Sequence, residues 1–359
     1  MRWSRWVAVL LVLAATAVAA TAVAAMAVAA PARAEEGGRL RMLTWSEYLD
    51  PDIVRLFEHK TGCEVKASLV ATNEDYTVKL AHGGADFDVI SPSSDLTSIM
   101  IKLGLVEPLN TSWLGHWSDV EEVFRRHPGI TVGGQTWAVP FTWSAVSLAY
   151  RTDKFADAPS SWSVLWDWRL EGRIALWDDK SSIYLAARLI LGDEVDVFDL
   201  SDAELATVTQ KLIEQKPLIR KYWISAGELV SLYTTGDVWV SDAWDAVIPV
   251  LREQGIPVER RTPKERATGW LDAWQIVRGS PNTDCAYAWL NFVISPEGQC
   301  ASHRANGFAG VNRKALESCL SPEAFQALGF DEVEKVEFWR EPRGVDRYIA
   351  SWNAVKAAQ

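Results

Sequence analysis

The chain has 359 residues, 19 of them tryptophan, and a formal net charge of -11. That length exceeds what one small core needs and suits two lobes of ordinary domain size. The acidity disfavours nucleic acid and anionic membrane as partners and draws cations, although solubility alone would also account for it.

The N-terminus bears on compartment. Arg2 and Arg5 precede a run without charge from Val7 to Ala32, and Ala32-Arg33-Ala34 offers a small-x-small exit before Glu35 and Glu36. Residues 1–34 therefore read as a secretory signal peptide. An uncleaved anchor is the alternative, because the run is long enough to span a bilayer. Cleavage would leave 325 residues and a charge of -14, since the signal holds three arginines and no acid. The mature chain is expected outside the cytoplasm.

The elements then follow in order. Leu40–Trp45 predicts a strand. Ile53, Val54, Leu56 and Phe57 have helical spacing over Pro51–Thr61, with Gly62 as cap. Strands are predicted at Glu64–Leu69 and Phe87–Ile90, a helix at Tyr76–Ala81, and a loop at Pro92–Asp95. Strand and helix alternate, which argues for a mainly parallel sheet covered on both faces, with ligands at the carboxyl ends of its strands. From about Trp143 the pattern starts afresh. Ser161-Trp162 heads a helix, Ile174–Trp177 is a strand, and Leu200–Gln215 is an amphipathic helix with Ser201 and Glu204 in capping-box positions. Gly236–Ser241 and Trp270–Val277 read as further strands. No linker rich in Pro, Gly or Ser separates the halves, so structured crossings should join them.

Catalytic signatures are missing. There is no GxSxG, HExxH, GxGxxG or Walker pattern, and the five histidines are scattered. The four cysteines form no CxxC pair, which argues against zinc. In an oxidising compartment a disulfide among Cys285, Cys300 and Cys319 is expected, its pairing open, while Cys63 reads as a buried free thiol. The positive signal is tryptophan beside acid: Trp45 with Glu47, Trp177 with Asp178 and Asp179, Trp244 with Asp242 and Asp245, and Trp270 with Asp272. Indole faces attract ammonium ions, and a buried ammonium also needs a carboxylate partner. Core packing is the plainer explanation for any one tryptophan. Four such pairs at strand ends favour a site for a small cationic amine.

Several segments resemble a known family. Leu43-Thr44-Trp45-Ser46-Glu47-Tyr48, Thr61-Gly62-Cys63-Glu64-Val65, Asn73-Glu74 and Phe87-Asp88-Val89-Ile90-Ser91-Pro92-Ser93 resemble the start of the spermidine/putrescine-binding periplasmic proteins. The likeness runs on through Ala138–Trp143, Trp177-Asp178-Asp179, Thr268-Gly269-Trp270-Leu271-Asp272 and Asn291–Glu297. It implies the α/β type-II periplasmic binding protein fold, with two lobes and a ligand cleft between them. The expected first lobe is 35–143 with 272–312, and the second 144–271 with 313–359. The implied role is extracytoplasmic capture of a polyamine such as putrescine or spermidine, for delivery to the membrane subunits of an ABC importer. It further implies a periplasmic monomer that is not an enzyme and needs no cofactor, metal or nucleic acid.

By the same likeness Trp45, Ser46 and Tyr48 form a first ligand loop and Ser93 belongs to a second. Asp179 and Asp272 hold nitrogens, Trp244 and Trp270 sandwich the chain, and Phe308 stands where the family often has tyrosine. Asp95 replaces an aromatic residue, Ser182 replaces an acid, and Arg340 falls near a glutamine. An Arg340 facing the cleft would welcome a carboxylate, so an amine that also bears an acid, such as an opine or amino acid derivative, is the alternative ligand. In the other view Arg340 pairs with an acid and only shapes the site. A sugar binder of the same fold, an exported enzyme using Asp178, Asp179 and Asp272, and a metal carrier are the remaining readings. The resemblance also implies a Cys285–Cys319 bridge with Cys300 unpaired.

Overall fold

The computed structural model describes residues 38–70, 73–83 and 86–358. The expected signal at 1–34 lies outside them. Thirteen strands occur among the described residues. They are β1 (Arg39–Thr44), β2 (Glu64–Leu69), β3 (Val89–Ile90), β4 (Thr131–Val132), β5 (Gln135–Thr136), β6 (Val139–Arg151) and β7 (Ile174–Trp177). The rest are β8 (Ile219–Trp223), β9 (Val240–Trp244), β10 (Val258–Arg261), β11 (Ala267–Ile276), β12 (Ala309–Gly310) and β13 (Val336–Phe338).

One path runs β2-β1-β3-β11-β6-β9-β7-β8. Its two ends are parallel, β1 with β2 and β3, and β7 with β8 and β9. The middle is not. β6 pairs antiparallel with β9, β10, β11 and β12. The expected parallel pattern therefore holds at the ends and yields to a mixed sheet between them.

Alternating side chains explain the layers. In β1, Leu40 and Met42 enter one core with Phe57 and Trp289, while Leu43 enters another with Tyr76 and Ile90. In β7, Ile174 and Leu176 face a core holding Trp162 and Leu205, whereas Ala175 faces Trp223 and Leu229. Each sheet end is thus covered on both faces, which makes two lobes. β6 serves both, with Phe141 and Trp143 in the first core and Leu148 and Tyr150 in the second. The C-terminal stretch divides likewise. Leu316, Phe330 and Phe338 pack in the first core, and Tyr348, Trp352 and Val355 in the second.

Local chemistry sets the helix ends. Asp50 caps Pro51–Thr61 by accepting from Asp52 N at 2.8 Å, and Gly62 closes it at φ +74°. Ser201 and Glu204 form the expected capping box of Asp202–Gln215. The stretch headed by Ser161 is a 3-10 helix, Trp162–Trp166.

A disulfide does form among Cys285, Cys300 and Cys319, but the free Cys63 thiol and the Cys285–Cys319 pairing with Cys300 unpaired are corrected. Cys63 pairs with Cys285 and Cys300 with Cys319, so no free thiol remains. Cys63 immediately precedes β2, and Cys285 lies in the first turn of the helix Thr283–Ile294, which packs on β1. Their Cα atoms come within 5.9 Å across 222 residues of sequence. Gly38 leaves room for them, because a Cβ there would stand 2.4 Å from Cys285 Sγ. Both bridges join parts of the first lobe.

Candidate functional site

The strands of the first lobe place a polar floor. Trp45 follows β1, Ser93 follows β3, and Asp272 sits in β11 where the pairing with β6 shifts register. A lone bridge links Ser93 to Asp272. Tyr48 Oη donates to Asp272 Oδ2 and Ser93 Oγ to Asp272 Oδ1, both at 2.6 Å. Tyr48 is held edge-on to Phe141, with centroids 5.1 Å apart. Trp45 Nε1 donates to Ser91 O at 2.9 Å, and its ring meets Tyr76 edge-on. Two predicted site residues, Tyr48 and Ser93, thus converge on the carboxylate of a third, Asp272.

Asp272 is 5% exposed. Burial pushes its carboxyl up to about 7, the two hydroxyl donors pull it down, and the charges of Asp95 and Glu47 push it up again. A cation arriving beside it would restore its ionised form. Asp95 lies in the turn Ser94–Leu96, next to Ser93. Ser46 is exposed and donates to its neighbour Glu47. Trp270, in β11 two residues before Asp272, meets Phe308 edge-on at 4.9 Å. Phe308 needs no hydroxyl for that contact.

The second lobe is built differently. Trp177 ends β7, Trp223 ends β8 and Trp244 ends β9. Trp177 stacks on Trp223 at 5.6 Å and 17°, and on Trp339 at 5.5 Å and 24°. Trp244 stands edge-on to Trp177 and Trp223, 5.1 Å from each. Beneath them lies Asp242, 1% exposed. It accepts from Trp177 N at 2.9 Å and Trp223 Nε1 at 2.8 Å. Burial pushes its carboxyl up to about 7 against those two donors, and Asp179 adds to the rise.

Asp179 follows β7 and accepts from Ser181 N at 2.7 Å, ahead of the helix Ser182–Leu191. Asp178 is engaged by Trp352 Nε1 and Lys356 Nζ. Ser182, at the position of an expected acid, donates to Trp177 O at 2.8 Å. Arg340 pairs with Asp196 and lies over the Phe198 ring at 5.1 Å. Among the described residues no cluster of His, Cys, Asp and Glu side chains could hold a metal, and no helix is long and apolar enough to cross a membrane.

Sequence reasoning named Asp242 only as a neighbour of Trp244, and gave Trp223 and Trp339 no role in the site. The signal available was an acid inside the apolar strand Val240–Trp244, which must find buried donors. The stack itself had none, because its rings come from three separate segments.

A family model described as bacterial extracellular solute-binding protein matches residues 52–328. The putrescine/cadaverine-binding protein of Pseudomonas aeruginosa is 24% identical over 313 residues, covering 81% of this chain and 84% of that protein. The spermidine/putrescine-binding periplasmic protein of Escherichia coli K12 is 24% identical over 294 residues, covering 81% and 82%. A solved structure of a spermidine/putrescine ABC transporter substrate-binding protein from Streptococcus pneumoniae overlays with a TM-score of 0.78 at 21% identity, over 89% of this chain and 99% of that one. That overlay carries the fold: the two-lobed architecture of type-II periplasmic binding proteins.

Proposed function

The chain belongs to the bacterial extracellular solute-binding proteins, a family of binders and not of enzymes, and on that premise we propose that it captures a small cationic amine between its lobes. A diamine or triamine of the putrescine and spermidine kind suits it best. The observation that carries this reading is Asp272, a buried carboxylate gripped by Tyr48 and Ser93 beside Trp270. An ammonium set against it gains a charge partner, and the indole faces add cation–π attraction.

In this reading Asp272 holds one nitrogen from the first lobe and Asp179 another from the second. Trp244 and Trp270 bracket the methylene chain, with Trp45 and Phe308 closing the sides. Asp95 adds negative charge near Asp272 and disfavours anions. Ligand contacts from both lobes favour the closed state, and that state is what an importer's membrane subunits would read. Export through residues 1–34 and a periplasmic location accord with the periplasmic relative. The amine-plus-acid alternative needs a guanidinium in the cleft, and the pairing of Arg340 with Asp196 speaks against it.

A thermal-shift screen tests the proposal, with putrescine, cadaverine, spermidine, γ-aminobutyrate, an opine and several sugars. At a hundredfold excess over Kd, a true ligand should stabilise the protein by about 2.7 kcal/mol. A shift with the diamines or spermidine is expected. A shift only with γ-aminobutyrate or the opine would move the ligand class and return Arg340 to the site. A shift only with sugars would sink the amine reading.

A further inference from the structure

The segment from β13 to Arg343 is tied to both lobes. Glu337 makes a two-pronged ion pair with Arg188 of the second lobe, at 2.8 and 2.6 Å. Arg188 is buried and also donates to the carbonyls of Gly192, Asp193 and Val195. Phe338 packs in the first core against Trp143, and the His127 ring meets it edge-on at 6.2 Å. Trp339 N donates to Gly269 O at 2.8 Å, and Trp339 O accepts from Ser94 Oγ at 3.1 Å. Those two partners adjoin Trp270 on one side and Ser93 and Asp95 on the other. The backbone of Trp339 is therefore pinned between two loops of the proposed site.

Its ring completes the stack of the second lobe. Trp177 stacks with both Trp223 and Trp339. Trp223 is fully buried. Trp339 is partly exposed at the edge of the second core, and among the described residues its one close ring pair is with Trp177. It is the outer plate of the stack. Its neighbour Arg340 is directed elsewhere, to Asp196 and Phe198.

We infer that Trp339 is a ligand-stacking residue that offers an indole face to the hydrocarbon chain and distal ammonium of the amine. The inference rests on the proposed amine site and extends it to a residue outside the four tryptophan–acid pairs. An ammonium held at Asp272 leaves a methylene chain that needs an apolar wall, and a flat indole backed by two more supplies one that does not yield. The ion pair of Arg188 and Glu337 is the positioning element, since it fixes the strand on which Trp339 rides.

Titration calorimetry of the purified protein with putrescine, cadaverine and spermidine tests this. The variants are Trp339→Ala, Trp339→Phe and Arg340→Ala, each checked for folding by thermal melting. Trp339→Ala should weaken the tightest of the three amines about tenfold. Trp339→Phe should recover most of that loss, because a smaller ring still stacks, and Arg340→Ala should stay within about twofold of the parent. Unchanged affinity in Trp339→Ala would overturn the inference while leaving the amine reading intact. So would a folded Trp339→Phe that binds no better than Trp339→Ala. If Trp339→Ala fails to fold, affinity of Trp339→Phe within twofold of the parent supports stacking and a larger loss refutes it. A parent protein that binds none of the three amines would overturn the functional reading and this inference together.

Discussion

The two lobes meet the same demand by different means. The first lobe holds its carboxylate with hydroxyl donors and ties its own segments with two disulfides. The second has no bridge, and places three indoles by stacking them and seating two on a buried acid. Hydrogen bonds fix direction, which suits a point charge. Stacked rings fix a plane, which suits a chain of methylenes. A ligand with charged ends and an apolar middle needs both kinds of surface, one from each side.

The largest expected effect lies in the cross-links. Replacing Cys63 and Cys285 by serine opens a loop of 222 residues, and replacing Cys300 and Cys319 opens one of 19. Chain entropy predicts losses of about 5 kcal/mol for the first pair and about 3 kcal/mol for the second, readable by urea unfolding. Equal losses would mean that strain or residual structure, not loop length, governs the first lobe.

Next comes the acid under the stack. Asp242→Ala leaves Trp177 N and Trp223 Nε1 without their acceptor, and should cost about 3 kcal/mol in the same unfolding assay. A cost near zero would show that stacking alone orders the second lobe, and would sharpen the contrast further.

Asp272→Asn should weaken amine binding about a hundredfold, because the remaining partner is a neutral amide. The parent protein should carry a matching pH dependence. Asp272 and Asp242 are both raised to about 7. Each keeps its proton in the folded chain at pH values where the unfolded chain has lost it. Their contribution to stability is therefore full below the ordinary aspartate range and is lost as pH rises to about 7. Amine affinity runs the other way, since the ammonium needs Asp272 ionised. It should fall below pH about 7 by up to about tenfold per unit. Calorimetry at several pH values, with Asp272→Asn as the flat control, checks the sign.

The smallest effect is expected at Arg340. Its pair with Asp196 is exposed on both sides, so Arg340→Ala should change stability by less than about 0.5 kcal/mol. A larger change would give this arginine a structural part that the comparison of lobes leaves out.

Much of the fold could be read from local signals. Asp50, Pro51 and Gly62 mark both ends of one helix, and Ser201 with Glu204 marks another, because capping is decided within a few residues. The strand expected at Gly236–Ser241 instead runs Val240–Trp244, since its pairing with β6 overrides local propensity. The antiparallel centre was hidden for a similar reason. β6 and β11 are partners over a hundred residues apart, and nothing in either segment declares direction. The bridge of Cys63 to Cys285 was not legible, because the two meet only when the helix Thr283–Ile294 settles on β1. In the proposed site, the meeting of Tyr48 and Ser93 at Asp272 was legible through their motifs. Trp223 and Trp339 were not, because stacking is a property of the assembled lobe.

The three nearly parallel indoles have an optical consequence. Rings held face to face at this spacing share their excited states, so the stack should absorb and emit as a coupled unit distinct from the other tryptophans. A ligand laid on its outer plate would perturb that unit directly. On the inference that the amine lies against Trp339, circular dichroism in the indole bands should follow occupancy without any added dye.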